Sequence, residues 1–241
     1  MKALLTERRY FDRRFYLGAG VIALGLVFWG FAPTYYLKLI FATPRLPARL
    51  HIHGAIMSSW LLLFLVQALL VSARRTDLHR RVGILGVFIA IAVVLVGSTT
   101  TIGAAAREVG RHSAEANNRV TVLGLELVQM ALFAGFVAAA VAMRGRPDFH
   151  KRLMLLATAC MMPSAFSRIP LNLTFMVSIF VSILIFFDVF VIVPAVIDTV
   201  RNRRLHPAFA WGGLIAIGAL NLAYPISVSP PWLRFGTWLV S

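Results

Sequence analysis

The sequence has one cysteine, Cys160, and only 9 acidic residues against 24 Lys and Arg in 241 residues. One cysteine excludes a disulfide within the chain, a thiolate metal site and a CxxC redox motif. The HExxH, P-loop, GxSxG and GxGxxG signatures are also missing, so the common sequence signals of metalloproteases, nucleotide-binding enzymes and serine hydrolases are absent. Only 14% of the residues are charged, which is too few for a soluble domain of this length.

The sequence is rich in long apolar stretches. The chain is 59% hydrophobic and has a mean hydropathy of +0.81. A helix needs roughly 20 residues to cross the hydrocarbon of a bilayer. Seven stretches approach or exceed that length: 15–37, 51–72, 82–103, 120–143, 152–168, 170–197 and 209–228. Period-2 alternation does not recur, so a membrane barrel is not expected. The sequence predicts an all-α polytopic membrane helix bundle of seven transmembrane helices, in a single integral membrane domain over residues 1–241.

The basic residues are distributed unevenly, and this predicts an orientation. Sixteen of the 24 lie before the first stretch or in the turns at 73–81, 144–152 and 201–204. Cytoplasmic loops carry such an excess of Lys and Arg. The asymmetry predicts a cytoplasmic N-terminus, a periplasmic C-terminus and basic turns that face anionic lipid head groups. The net charge of +15 is therefore expected to bind the lipid bilayer and not nucleic acid.

Two turns share a motif. DLHRRVGILG begins at Asp77 and DFHKRLMLLA begins at Asp148, and both follow an apolar stretch that ends in a basic turn. The repeat suggests that the helix hairpins over 51–103 and 120–168 correspond.

The repeated motif has two interpretations. In the first, Asp77 and Asp148 cap helix N-termini, while the basic residues anchor the chain to phosphate. In the second, His79 and His150 are the axial iron ligands of a haem b near the cytoplasmic face. The basic residues that would then bind the haem propionates are Arg80, Arg81, Lys151 and Arg152.

Ionisable residues inside the apolar stretches are functional candidates, because placing them in a membrane is costly. Glu126 and Arg168 are predicted at similar depth on the periplasmic side, so they are expected to pair. His53 is expected at the same depth and is the candidate proton carrier or ligand. These three are the candidate catalytic residues of a polar pocket. Asp188 lies nearer mid-depth, and Asn221 is one potential partner for it.

The segment 50–172 resembles a family of small multi-pass bacterial membrane proteins of unknown function. The motifs that carry the resemblance are His53-Gly54, Trp60, Gln67, HRRVG at 79–83, HKRLM at 150–154 and Arg168-Ile169-Pro170. The resemblance implies a bacterial inner-membrane location and no specific chemistry. The chain is similar only in class to b-type transmembrane cytochromes, whose ligands lie within the helices, whereas His79 and His150 lie at predicted helix starts.

Three functional classes remain open from the sequence. The first is a haem- or quinone-associated redox protein with a periplasmic-side polar pocket. The second is a non-enzymatic accessory or assembly subunit of a membrane complex, in which the same residues pack or anchor. The third is a small-solute or proton transporter that uses Glu126, Arg168 and Asp188.

Overall fold

The computed structural model describes the backbone of residues 2–169 and 179–241 and the side chains of residues 12–169 and 179–241. These residues form helices joined by short turns, with no strand in the described part of the chain, so the predicted all-α class is confirmed. The elements in order are α1 (Lys2–Phe31), a π-helical turn (Ala32–Tyr36), α2 (Ala48–Ser72), α3 (Thr76–Gly110), α4 (Ala116–Ala142), α5 (Pro147–Ala159), α6 (Pro163–Phe166), α7 (Ile179–Asn202), α8 (Pro207–Ser227) and α9 (Pro230–Val240). Pro170 and the start of the sixth predicted stretch lie outside the described residues.

Six described helices are long and apolar enough to cross a membrane. They are Asp12–Tyr36, Ala48–Ser72, Thr76–Gly110, Ala116–Ala142, Ile179–Asn202 and Pro207–Ser227. The fifth predicted stretch, 152–168, is instead divided between the 13-residue α5 and the 4-residue α6. The division falls before Pro163, which has no backbone N–H to continue an α-helical hydrogen-bond ladder. The number of spans and the orientation of the termini remain predictions.

The chain forms two compact units, Met1–Val93 and Val94–Ser241, which divide within α3. In the first unit α1 and α2 pack closely at a glycine: a Cβ on Gly20 would lie 3.2 Å from the Phe64 ring. The π-helical turn is tied to α2 by a hydrogen bond of 2.6 Å between the hydroxyls of Tyr36 and Ser58. A Cβ on Gly54 would lie 2.5 Å from Cζ of Tyr35, so the small residue after His53 is required for this packing.

The second unit is built around α5, although α5 is short. Among its residues Leu153, Leu155, Leu156 and Ala157 are all at most 7% exposed. α4 and α8 pack against it, and Gly212 of α8 allows a close approach, since a Cβ there would lie 2.5 Å from Cδ1 of Leu156. The second half of α5 is nearly apolar on every side, as expected of a buried helix segment, so α5 is the internal helix of this unit.

The last helix, α9, was not expected from the sequence. It packs on α4, where the indole N–H of Trp232 donates to the carbonyl of Val120 at 3.0 Å. Its other face exposes Trp238, which is 70% accessible. Indole rings are enriched at membrane–water interfaces. Its 11 residues are fewer than the roughly 20 that a helix needs to cross a bilayer.

Candidate functional site

The second unit contains a buried ion pair between α5 and α7. Arg152 donates to both carboxylate oxygens of Asp198: Nη2 lies 2.6 Å from Oδ1 and 2.9 Å from Oδ2, and Nε lies 3.1 Å from Oδ2. The two side chains are 4% and 3% exposed. A bidentate contact of this kind is among the stronger charge-assisted hydrogen bonds. Arg152, which the sequence assigned to the anionic-cofactor and lipid-facing set, is thus buried against Asp198.

A second polar contact joins the start of α5 to the start of α8. Asp148 Oδ2 accepts from Nε2 of His206 at 3.2 Å, and the backbone N–H of Ala208 donates to Nδ1 of His206 at 3.1 Å. Since Nδ1 accepts, the proton of the neutral imidazole is on Nε2. His206 is therefore the N-cap of α8, in a role usually filled by Ser, Thr, Asp or Asn.

Neither Asp77 nor Asp148 occupies the N-cap position predicted for it. Each is the second residue of its helix, after Thr76 and Pro147 respectively. Pro147 occupies the first helical position, where its missing N–H costs nothing, so the N-cap position passes to Arg146. The two carboxylates still lie where the positive end of the helix dipole favours them.

The titration of the Asp148–His206 pair follows from its surroundings. Burial lowers the pKa of His206 from its ordinary value, and the hydrogen bond from its imidazole to Asp148 opposes this without reversing it. For Asp148, burial raises the pKa, but the hydrogen bond from His206 and local backbone N–H groups outweigh it and leave the pKa lowered. The pair therefore favours a neutral histidine beside an ionised carboxylate.

The two histidines of the repeated motif lie in different units, His79 in the first and His150 in the second. Nδ1 of His150 lies 2.8 Å from the carbonyl oxygen of Ala140. Because a carbonyl can only accept, Nδ1 carries the proton and donates. The backbone carbonyl of His79 accepts from the amide of Gln67 at 3.1 Å. Both rings are half-buried.

The other members of the proposed cofactor set differ in exposure. Arg80 and Arg81 are exposed and Lys151 is half-buried. Within the described residues, no group of three or more His, Cys, Asp and Glu side chains is arranged to hold a metal ion. A haem needs only one or two histidine ligands, so its assignment to His79 and His150 remains a prediction.

The three candidate catalytic residues are also divided between the units. His53 is half-buried on α2 of the first unit, whereas Glu126 and Arg168 belong to the second. The carboxylate of Glu126 and the guanidinium of Arg168 interact electrostatically, and Arg119 adds a like charge nearby. The guanidinium also donates to the carbonyl of Ser164 at 2.5 Å. The catalytic roles remain predictions.

A polar contact joins the middle of α7 to α8. The side-chain amide of Asn221 donates to Oδ1 of Asp188 at 3.0 Å and to Oδ2 at 3.2 Å. The suggestion from the sequence that Asn221 is the partner of Asp188 is therefore confirmed. Both side chains are half-buried.

Sequence reasoning missed Asp198 and His206. Asp198 directly follows the apolar stretch 170–197, where a single acid three residues before Arg201 resembles a solvated helix end. His206 precedes a proline in a basic turn and carries no motif. A signal was available, because a buried arginine requires an acidic partner, but nothing in the sequence indicates that Arg152 is buried. No protein-family model, curated protein or solved structure matches the chain.

Proposed function

We propose that the chain is an integral membrane transporter of protons, alone or coupled to a small solute, with the Asp188 carboxyl as the proton carrier. The observation that carries the proposal is the contact of Asp188 with Asn221 between two long apolar helices. An ionisable residue within a spanning helix is costly and usually serves a function. Two neutral amides could join α7 to α8 equally well, so helix packing alone does not require a carboxyl.

The hydrogen bonding at this contact fits a carboxyl that changes its protonation state. The amide nitrogen of Asn221 has two hydrogens, and the same nitrogen donates to the carbonyl of Ile217 at 2.9 Å. One hydrogen is thus left for both oxygens of Asp188. A carboxylate has about four acceptor positions, so Asn221 leaves room for a proton on either oxygen.

Ionisable groups toward the two ends of the same unit support a route through it. Asp148, His206, Arg152 and Asp198 form the first group, and Glu126 with Arg168 form the second. Asp188 and Asp198 are ten residues apart on α7, about 15 Å along a helix. Because this exceeds a hydrogen bond, protons must move between these positions through water or through a helix movement.

The test is proton flux into proteoliposomes that contain a trapped pH-sensitive dye. Asp188→Asn keeps the size of the side chain and an oxygen that accepts from Asn221, but it cannot carry a proton. We expect the flux through the variant to fall about a hundredfold or more, which is the contribution that a positioned proton-transfer group makes to a rate. Asp77→Asn removes an exposed carboxyl, 61% accessible in its pair with Arg75, and should leave the flux unchanged.

Two results would reject the transporter proposal. One is a wild-type flux no greater than that of protein-free vesicles across the pH gradients and solutes tried. The other is equal flux from Asp188→Asn and the wild type. Either result would favour the accessory-subunit interpretation, in which the polar contacts only hold helices together.

We propose redox function as the second candidate, with His150 as a haem ligand. The supporting observation is the hydrogen bond from Nδ1–H of His150 to the carbonyl of Ala140. A histidine that binds a metal usually donates its other ring N–H to a carbonyl or carboxylate, which fixes the ring and presents Nε2. The same bond also satisfies a carbonyl in the last turn of α4, so it serves a purely structural role equally well.

Visible absorption of the detergent-purified protein, oxidised and then reduced with dithionite, tests this second candidate. A Soret band with sharp reduced bands, lost in both His79→Ala and His150→Ala but kept in Asp77→Asn, would support ligation by the repeated motif. A flat spectrum from haem-supplemented expression would reject it. A haem that survives both histidine changes would show that the assigned ligands are wrong.

A further inference from the structure

An apolar groove of about 490 Å³ runs along the surface of the second unit between α7 and α8. Small residues leave the space: Ala195 on α7, and Ala210 and Gly213 on α8. The hydroxyl of Thr199 also lines the groove, but it donates to the carbonyl of Ala195 at 2.7 Å. Its hydrogen is therefore not available to a bound molecule. The groove therefore suits a hydrocarbon chain.

The length of the groove matches one leaflet of a bilayer. Its lining extends from Phe209 to Ile217 on α8 and from Val191 to Val200 on α7, which is about 12 Å and about 14 Å of helix respectively. Half of a hydrocarbon core of about 30 Å is about 15 Å. The deeper end lies one turn from Asn221, whose amide donates to the carbonyl of Ile217. An acyl chain in this groove would end close to the Asp188–Asn221 contact.

The shallow end of the groove is strongly basic. Val200 and Leu205 line it, and the turn between them contains Arg201, Arg203 and Arg204, all exposed. Asp198, the acid of the same helix end, has both oxygens bound by Arg152. The turn therefore carries a concentrated positive charge at the height where a head group would lie.

We infer that this groove holds one anionic phospholipid, with an acyl chain between α7 and α8 and its phosphate beside Arg203 and Arg204. Two features of the groove support this occupant together: the apolar lining of one-leaflet length and the basic turn at its mouth. Basic pockets between spanning helices on the cytoplasmic side are a common arrangement for acidic lipids. The inference depends on membrane insertion and not on the transport or redox proposals.

Retention of spin-labelled phosphatidylglycerol in nanodiscs of neutral lipid measures this site directly. Labelled lipid held by the protein gives a motionally restricted component in its electron paramagnetic resonance spectrum. Ala210→Phe fills the groove, and we expect it to abolish most of the restricted component. Ala138→Phe adds the same bulk at an exposed position of α4, outside the groove lining, and should retain the component.

The head-group contact is tested by Arg203→Gly combined with Arg204→Gln. Arg203 has a φ of 54°, a left-handed conformation that glycine adopts more easily, so the variant removes charge without straining the turn. We expect apparent affinity for phosphatidylglycerol to fall roughly tenfold or more. The matched control is Arg74→Gly with Arg75→Gln, since Arg74 has a φ of 61° at the end of α2 and the change in charge is the same.

Three results would overturn the inference. Ala210→Phe could retain the restricted component at the wild-type level, which would show that the groove is not the binding site. Labelled phosphatidylethanolamine could be restricted as strongly as phosphatidylglycerol, which would show that the basic turn does not select the lipid. The Arg74/Arg75 variant could lose as much lipid as the Arg203/Arg204 variant, which would show only a general effect of charge. A flux defect in Asp188→Asn with unchanged lipid retention would separate this site from the proposed transport.

Discussion

Arg152 and Asp198 form a bidentate ion pair across α5 and α7, with each side chain less than 5% exposed. The pair is further fixed at the arginine, whose Nη1 donates to the backbone carbonyl of Asp148 at 2.6 Å. One guanidinium therefore connects the first turn of the internal helix α5 to the last turns of α7. His206 joins the start of α8 to the same place through the side chain of Asp148.

Loss of one partner of this pair should strongly destabilise the protein. Asp198→Asn leaves the guanidinium of Arg152 buried without a counter-charge, which typically costs about 3–5 kcal/mol of unfolding free energy. Thermal unfolding in detergent, followed by circular dichroism or by size-exclusion profiles after heating, would measure the loss.

The double variant Arg152→Met with Asp198→Leu should recover most of that stability, because it removes both charges together. Asp77→Asn, which breaks only an exposed pair with Arg75, should change stability by no more than about 1 kcal/mol. Equal stability of Asp198→Asn and Asp77→Asn would contradict the burial of the Arg152–Asp198 pair.

Stability should depend on pH through His206. Its pKa is lowered in the folded protein, so below about pH 6.5 the unfolded chain binds more protons than the folded one. By linkage, this contribution to stability is fully present above the unfolded pKa and is lost as pH falls through the range beneath it. Protonation of Nδ1 would also remove the acceptor that caps α8 and place positive charge at its N-terminus.

His206→Asn retains a side-chain acceptor suited to an N-cap but does not titrate. The melting temperature of the wild type should fall between pH 7.5 and 5.5 more steeply than that of His206→Asn. The Asp148 pKa is lowered as well, so its own contribution is lost only at still lower pH, below about 3.9. Parallel slopes for the two proteins above pH 5 would argue against this role of His206.

Variants of Asp188 and Asn221 should separate the proposed transport role of the carboxyl from a structural role. Asp188→Leu replaces a half-buried carboxyl in an apolar helix, so we expect equal or higher thermal stability together with loss of proton flux. Asn221→Leu, by contrast, removes the hydrogen-bond donor and leaves the carboxyl in place, which should cost about 1–3 kcal/mol. The two melting temperatures, measured in the same detergent, should therefore move in opposite directions. A destabilised Asp188→Leu would indicate that the carboxyl is structural.

Two glycines of α4 should respond in opposite ways to alanine. A Cβ at Gly124 would overlap the hydroxyl oxygen of Ser227 and approach the Trp232 ring at 2.9 Å. Gly124→Ala should cost about 1–3 kcal/mol through overpacking. A Cβ at Gly135 would meet no described atom within 4 Å beyond its own helix, so Gly135→Ala should gain up to about 1 kcal/mol from helix propensity. Thermal unfolding of the two variants provides the comparison, and a neutral Gly124→Ala would contradict the close approach of α8 and α9.

The prediction of helices from the sequence was accurate where apolar length alone decides the structure. The stretches 51–72 and 120–143 correspond closely to α2 and α4. Differences arise where local chemistry decides: Pro163 divides the fifth stretch, and α3 extends through Arg107 to Gly110 beyond its predicted end at residue 103. A hydropathy profile shows neither difference, because it does not detect a helix break at a proline and because a polar helix end has the same hydropathy as a loop.

The candidate site was predictable only in part. Asn221 could be named as one potential partner of Asp188 because each is an isolated polar residue in an apolar stretch, but nothing in the sequence singled it out. Arg152 was assigned to the lipid interface because it follows His150 and Lys151 in a basic turn. Its burial depends on α7 and α8 covering the start of α5, which no spacing within the motif indicates.

The sequence by itself determined that this protein is an apolar, all-helical chain with several stretches long enough to span a bilayer, because the hydrophobic effect and backbone hydrogen bonding act residue by residue along the chain. Only the tertiary structure decided which polar residues meet. Asp148 with His206 and Arg152 with Asp198 are separated by 58 and 46 residues, and their contacts exist because α5 is enclosed by helices from distant parts of the sequence. Charge is read locally in a sequence, whereas burial, which determines what a charge must bind, is a property of the fold.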